Sequence, residues 1–304
     1  MIKLIICDGD SWTAGDIVDP KLFDDAKYVH HPDNDQYRLP RVWPYKLGEL
    51  LGIDVLNDSY AGSSNDAIVR RVLRSTLEKL KIYKPEELFV IVGWSSPERK
   101  DFFFDDEFRC FYPMEFEELK SKTDIDKFKK LYFKYFWEEE EYITRYVHQN
   151  LLLHTFLKNR GIQHYFFDAF YEKKRIDDIG GMYNNVELDN EIDNSLPIFK
   201  HYFFDAFYEK KYMKCDSKGN EVGGMYNNIE INTERLPDKL QEIRDEVFKD
   251  KSFRSFLMLD NENFNSQLWD WYHPSEKAHD LWSKEIHKDL DEKFGIQETR
   301  ISYD

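Results

Sequence analysis

The chain has 304 residues, 41% hydrophobic and 16% aromatic, which is enough to bury a core in one large domain or two modest ones and excludes an intrinsically disordered chain. Its formal charge of −16 sets the surface against phosphate backbones and excludes sequence-independent nucleic-acid binding. No window approaches the ~18 apolar residues of a membrane span, and the opening Met-Ile-Lys-Leu-Ile-Ile-Cys-Asp is too short for a signal-peptide core. No membrane association is expected, and the expected location is the cytoplasm.

Ile2–Cys7 reads as a buried first strand that runs into the loop Asp8-Gly9-Asp10-Ser11. Residues 14–41, with Pro20, Pro32 and Pro40, read as irregular, and His30-His31 as surface loop. Val42–Leu51 has helical spacing and stops at Gly52. Ile53–Asn57 is a second short strand, followed by the small-residue turn Ser59-Tyr-Ala-Gly-Ser-Ser-Asn65. An amphipathic helix over Asp66–Tyr83 ends before Pro85.

Glu87–Gly93 is the clearest buried strand, and Glu98, Arg99 and Lys100 after it read as a solvated loop. Ile125–Arg160 is one long helical stretch whose aromatic run, Phe128–Trp137, is expected to pack into the core. Ile162–Asp168 is a further strand, and Ser275 and Gly295 bracket a last helix with Ala278, Leu281, Trp282, Ile286, Leu290 and Phe294 on its inner face. Cys7, Cys110 and Cys215 form no CxxC pair and read as reduced thiols, neither a disulfide framework nor a zinc site.

Strands alternating with helices predict a three-layer α/β/α sandwich around a mostly parallel, flavodoxin-like sheet, in a single domain over 1–304. Such a sheet gathers the loops that follow its strands on one edge, which would bring Ser11, Gly62 and Ser95 together.

A tandem repeat interrupts this pattern. His164–Lys174 recurs unchanged as His201–Lys211, and Gly180–Asn185 recurs as Gly223–Asn228. Identical strand sequences compete for one slot in the sheet. The first copy, directly behind a helix and Gly161, is expected to take it. The second would add an edge strand or a hairpin, within an insertion at about 164–235. A surface duplication without functional consequence is the plainer reading. A homo-oligomer built on an extra strand stays open.

Two blocks carry chemistry. Gly9-Asp10-Ser11 sits at the end of the first strand, where open α/β sheets place their sites; on its own it reads as an Asp/Ser turn. Asp270-Trp-Tyr-His273-Pro precedes the last helix. A nucleophilic serine needs a base, and the base needs an orienting carboxylate; His273 and Asp270 supply both from one loop. Together the blocks resemble the SGNH hydrolases, or GDSL-type esterases, over nearly the whole chain outside the repeat. The resemblance implies that Ser11 is the nucleophile, His273 the base and Asp270 its orienter, with the Gly62 backbone N–H in the oxyanion hole. It implies an ester substrate, an acyl group on a carbohydrate among the possibilities, and no cofactor or metal.

One block departs from that family, whose third strand is followed by Gly-x-Asn with the Asn completing the oxyanion hole. Here the residues are Gly93-Trp94-Ser95. Ser95 or Asn65 would have to supply the missing donor. Two other readings stand beside the esterase: a non-catalytic SGNH-like binding module, and a magnesium-dependent phosphatase of the haloacid-dehalogenase type with Asp8 as nucleophile.

Overall fold

The structure, a computed structural model, describes residues 1–21, 29–112, 123–137, 139–169, 201–203, 214–215, 221–222, 227–229, 252–253, 256–257, 269–270 and 273–296. Its helices are α1 (Ser11–Ala14), α2 (Pro32–Arg38), α3 (Trp43–Leu51), α4 (Asn65–Lys79), α5 (Asp124–Tyr135), α6 (Glu139–Asn159) and α7 (Glu276–Phe294). The main strands are β1 (Leu4–Asp8), β2 (Asp54–Asn57), β3 (Leu88–Trp94) and β6 (Gln163–Asp168). These four form one parallel sheet in the order β2-β1-β3-β6.

A parallel strand covered on both faces has no polar side, so its sequence is a continuous apolar run. Every residue of β1 and β3 is buried accordingly. Alternation then divides the strands' side chains between two cores. Ile5, Cys7, Phe89, Ile91, Tyr165 and Phe167 meet Trp43 and Leu47 of α3 and Trp282, Ile286 and Leu290 of α7. Leu4, Ile6, Leu88, Val90, Val92 and Phe166 meet Ile68, Val69 and Val72 of α4 and Tyr146, Leu153 and Leu157 of α6. The layers are therefore helix, sheet, helix, as the sequence predicts.

The helix ends follow their capping chemistry. Ser64 and Ser275 accept from the backbone N–H groups of Ala67 and Ala278, and Gly52 and Gly295 close α3 and α7 in the left-handed conformation.

Four elements differ from expectation. Residues 14–41, expected to be irregular, contain α2, which starts at Pro32 behind the His31 cap. The long stretch after residue 123 is two helices, and the break brings Trp137 onto Tyr142, with ring centroids 5.4 Å apart. Among the described residues, α5 is covered on one side: Phe128 and Tyr132 pack on Phe102 and Phe111, while Leu131, Tyr135 and the following Phe136 are exposed. The partners Phe102 and Phe111 lie on an unforeseen hairpin, β4 (Lys100–Phe104) and β5 (Glu107–Phe111), turned at Asp105 and Asp106, both with positive φ.

The opening residues of the first repeat copy lie in the sheet within β6, beside β3; the rest of that copy beyond residue 169 falls outside the described residues. Within the second copy, β7 (His201–Phe203) pairs antiparallel with β10 (Asn227–Ile229). The remaining short strands are β8 (Lys214–Cys215) and β9 (Glu221–Val222), paired with each other, and β11 (Trp269–Asp270) and β12 (His273–Pro274), likewise. No helix among the described residues is long and apolar enough to cross a membrane.

Candidate active site

The site lies at the edge where β1, β2 and β3 end. β1 runs into α1, whose first residue is Ser11. Asp10 caps this helix: its Oδ1 accepts from the Trp12 N–H at 3.0 Å. The serine is thus held at a helix start directly behind a central strand.

His273 comes to it from the far end of the chain. The β11–β12 bridge sets Asp270 and His273 opposite each other, and Ser275 caps α7 two residues later. The His273 Nε2 lies 3.0 Å from Ser11 Oγ. Only the backbone pairing of Asp270 falls within the described residues; its side chain lies outside them.

The same His273 nitrogen has a second neighbour. Asp16 Oδ2 is also 3.0 Å from Nε2. Gly15 brings Asp16 there: it closes α1 at φ 75°, and a Cβ at this position would stand 2.1 Å from Val42 Cγ1. Burial pushes the Asp16 carboxyl up to about 7, Asp10 adds to that, and Arg38 opposes it.

Gly62 lies in the turn after β2 with φ 73°, a conformation that favours glycine, and nothing approaches the place of its missing Cβ. The turn is braced by His30, whose Nε2 accepts from the Ala61 N–H at 3.1 Å and whose ring stacks on Tyr60 at 4.2 Å. Burial pulls His30 down to about 4, with Arg38 adding to the shift, so it is a neutral acceptor at neutral pH. His31, by contrast, caps α2 at the surface.

Ser95 and Asn65 face one another. The Ser95 N–H donates to Asn65 Oδ1 at 2.8 Å, and Asn65 Nδ2 donates to the Ser95 carbonyl at 2.9 Å. The Ser95 hydroxyl donates to Asp10 Oδ2 at 2.8 Å. Both side chains expected to supply the missing oxyanion donor are thus engaged in tying β3 to α4 and to the cap of α1.

Arg99 belongs to the same network and not to a solvated loop. Its Nη1 donates to Ser95 Oγ (2.9 Å), the Ser63 carbonyl (3.1 Å) and Asp10 Oδ2 (3.3 Å). Glu98 beside it is buried as well. The physical reason is Asp10: a fully buried carboxylate requires a cation close by.

Asp8 is fully buried and faces α4. Arg71 grips it through Nε at 3.0 Å and Nη2 at 2.5 Å, and the Gly9 N–H donates to it at 2.6 Å. Burial raises its pKa to about 7 against the pull of Arg71. With both oxygens bonded inside the protein, it is ill placed to attack a phosphoryl group.

Asp16 and Arg71 escaped the sequence reading, and it put His30 and Arg99 in solvated loops where the structure gives them buried partners. Each acts through a partner distant in sequence or through a turn, and neither spacing nor motif marks such contacts.

The sequence matches a family of unknown function, DUF6071, over residues 22–208. The chain belongs to this family. No curated protein matches it. Among solved structures it is similar to a member of the lipolytic protein G-D-S-L family from Veillonella parvula DSM 2008, with 9% identity, a TM-score of 0.41, and 96% of this chain and 98% of that one covered. It is also similar to a carbohydrate esterase whose active site displays divergent catalytic and non-catalytic binding functions, with 10% identity, TM-score 0.39, and coverage of 97% and 70%. A third is phospholipase A1 from Streptomyces albidoflavus NA297, with 9% identity, TM-score 0.27, and coverage of 57% and 61%.

Proposed function

We propose that the protein is a serine esterase in which Ser11 is the nucleophile, His273 the base and Asp270 the group that orients it. The observation that carries this reading is the 3.0 Å contact between Ser11 Oγ and His273 Nε2, two side chains from opposite ends of the chain.

In the first step Ser11 Oγ attacks the acyl carbonyl carbon while its proton passes to His273 Nε2. The oxyanion is held by the backbone N–H groups of Ser11 and Gly62. His273 then gives the proton to the departing alcohol. In the second step water, deprotonated by His273, attacks the acyl-enzyme; the acid leaves and Ser11 regains its proton. The substrate class is an acyl ester, with an acylated carbohydrate as the specific proposal, and no cofactor enters. A hole without a third donor gives up roughly 3 kcal/mol of transition-state stabilisation, so slow turnover is expected.

Ser11→Ala should abolish p-nitrophenyl acetate turnover. Undiminished turnover in that variant would refute the assignment. A wild-type chain that neither turns over esters nor reacts at Ser11 would favour a non-catalytic binding module.

A further inference from the structure

Two atoms stand 3.0 Å from one imidazole nitrogen, and Nε2 has a single in-plane position for a hydrogen or a lone pair. A carboxylate oxygen only accepts, and so does an unprotonated Nε2. Two acceptors at this distance repel unless a proton lies between them. Asp16 Oδ1 is buried and has no hydrogen-bond partner among the described residues, so that oxygen does not hold the carboxylate's charge there.

We propose that Asp16 is a positioning residue: it shares one proton with His273 Nε2 and withholds the base from Ser11 until that proton is lost to solvent. This rests on the reading of Ser11 as the nucleophile. With Nδ1 keeping its own proton for Asp270, the shared proton can sit on either partner, as carboxylic acid beside imidazole or carboxylate beside imidazolium. In both forms Nε2 is taken. Once the pair has lost it, His273 carries a lone pair toward Ser11 Oγ, whose hydroxyl can then donate. The titration belongs to the pair and not to either residue.

The surrounding groups agree with a shared proton. Asp10 at the head of α1 disfavours a second negative charge on Asp16, and Arg38 of α2 partly offsets it. From α7, His279 is fully buried and neutral, its pKa driven to about 3 by burial with Lys46 and His273 adding to the shift, so it brings no positive charge to the pair. Asp270 is the backbone partner of His273.

The test is the rate at which a fluorophosphonate forms its adduct on Ser11, followed by mass spectrometry from about pH 5 to 9 in the wild type and in Asp16→Asn. The amide cannot share the proton, so His273 becomes available at lower pH. The acid limb of the profile should move down by about one pH unit, and below the wild-type limb the variant should react roughly tenfold faster. Coincident limbs would overturn the proposal. Asp16→Ser, smaller and also uncharged, gives the same readout should the Asn variant fold poorly. If neither chain forms an adduct, the nucleophile reading fails, and the nitrogen-15 resonances of the His273 ring still decide the pairing. They should titrate at lower pH without Asp16; identical titrations would refute it.

Discussion

The two flanks of the site both carry a serine and an aspartate and use them in opposite ways. On the Ser95 flank, Asp10, Ser95, Asn65 and Arg99 bond one another and nearby backbone in a buried network. On the His273 flank, Asp16 and His273 are about one-fifth exposed and converge with Ser11 on one nitrogen. Side chains already bonded on several sides brace the fold. Side chains that compete for one proton can move it. A Ser, Asp and Asn cluster at a sheet edge is therefore chemically informative only when its bonds are counted.

The largest effect is expected from Asp10→Ala. It removes the cap of α1 and leaves Arg99 without its buried counter-charge, so unfolding in urea should show a loss of about 3 kcal/mol. A loss below about 1 kcal/mol would erase the distinction between the flanks.

Asn65→Ala should cost less, about 2 kcal/mol, by stranding the N–H and carbonyl of Ser95. Ester turnover separates two roles here. A bracing Asn65 lowers stability with little change in the rate per folded molecule, whereas an oxyanion donor lowers the rate itself.

The smallest effect concerns pH, where His30 beneath the Gly62 turn and Asp16 on the His273 flank have opposite signs. His30 has a folded pKa near 4, below its ordinary 6.5, so its contribution is present above pH 6.5 and lost as pH falls toward 4. Asp16 has a folded pKa near 7, above its ordinary 3.8, so its contribution is present below 3.8 and lost as pH rises through 7. His30→Gln keeps an acceptor for the Ala61 N–H and does not titrate. Melting temperatures across this range should therefore fall less on acidification in the variant than in the wild type.

Much of the architecture is legible in the sequence because burial and capping are local signals. Continuous apolar runs mark β1 and β3, and Ser275 and Gly295 mark the ends of α7. Gly9-Asp10-Ser11 and Asp270-x-x-His273 name two chain segments 3.0 Å apart at Ser11 and His273. The break at Trp137 was hidden because neither glycine nor proline marks it; it shows in the packing of Trp137 on Tyr142. Asp105-Asp106 hid a hairpin because two left-handed aspartates look like any polar loop. Asp16 was hidden for a different reason: it lies five residues past the serine and reaches His273 only through the turn at Gly15.

The pairing of Ser11 with His273 is tested most directly by fluorophosphonate labelling of the full chain, with the modified residue located by peptide mass spectrometry. The account predicts one adduct, on Ser11, lost in Ser11→Ala and slowed by about a thousandfold or more in His273→Ala. Labelling at another residue, or labelling of Ser11 at an undiminished rate without His273, would contradict it.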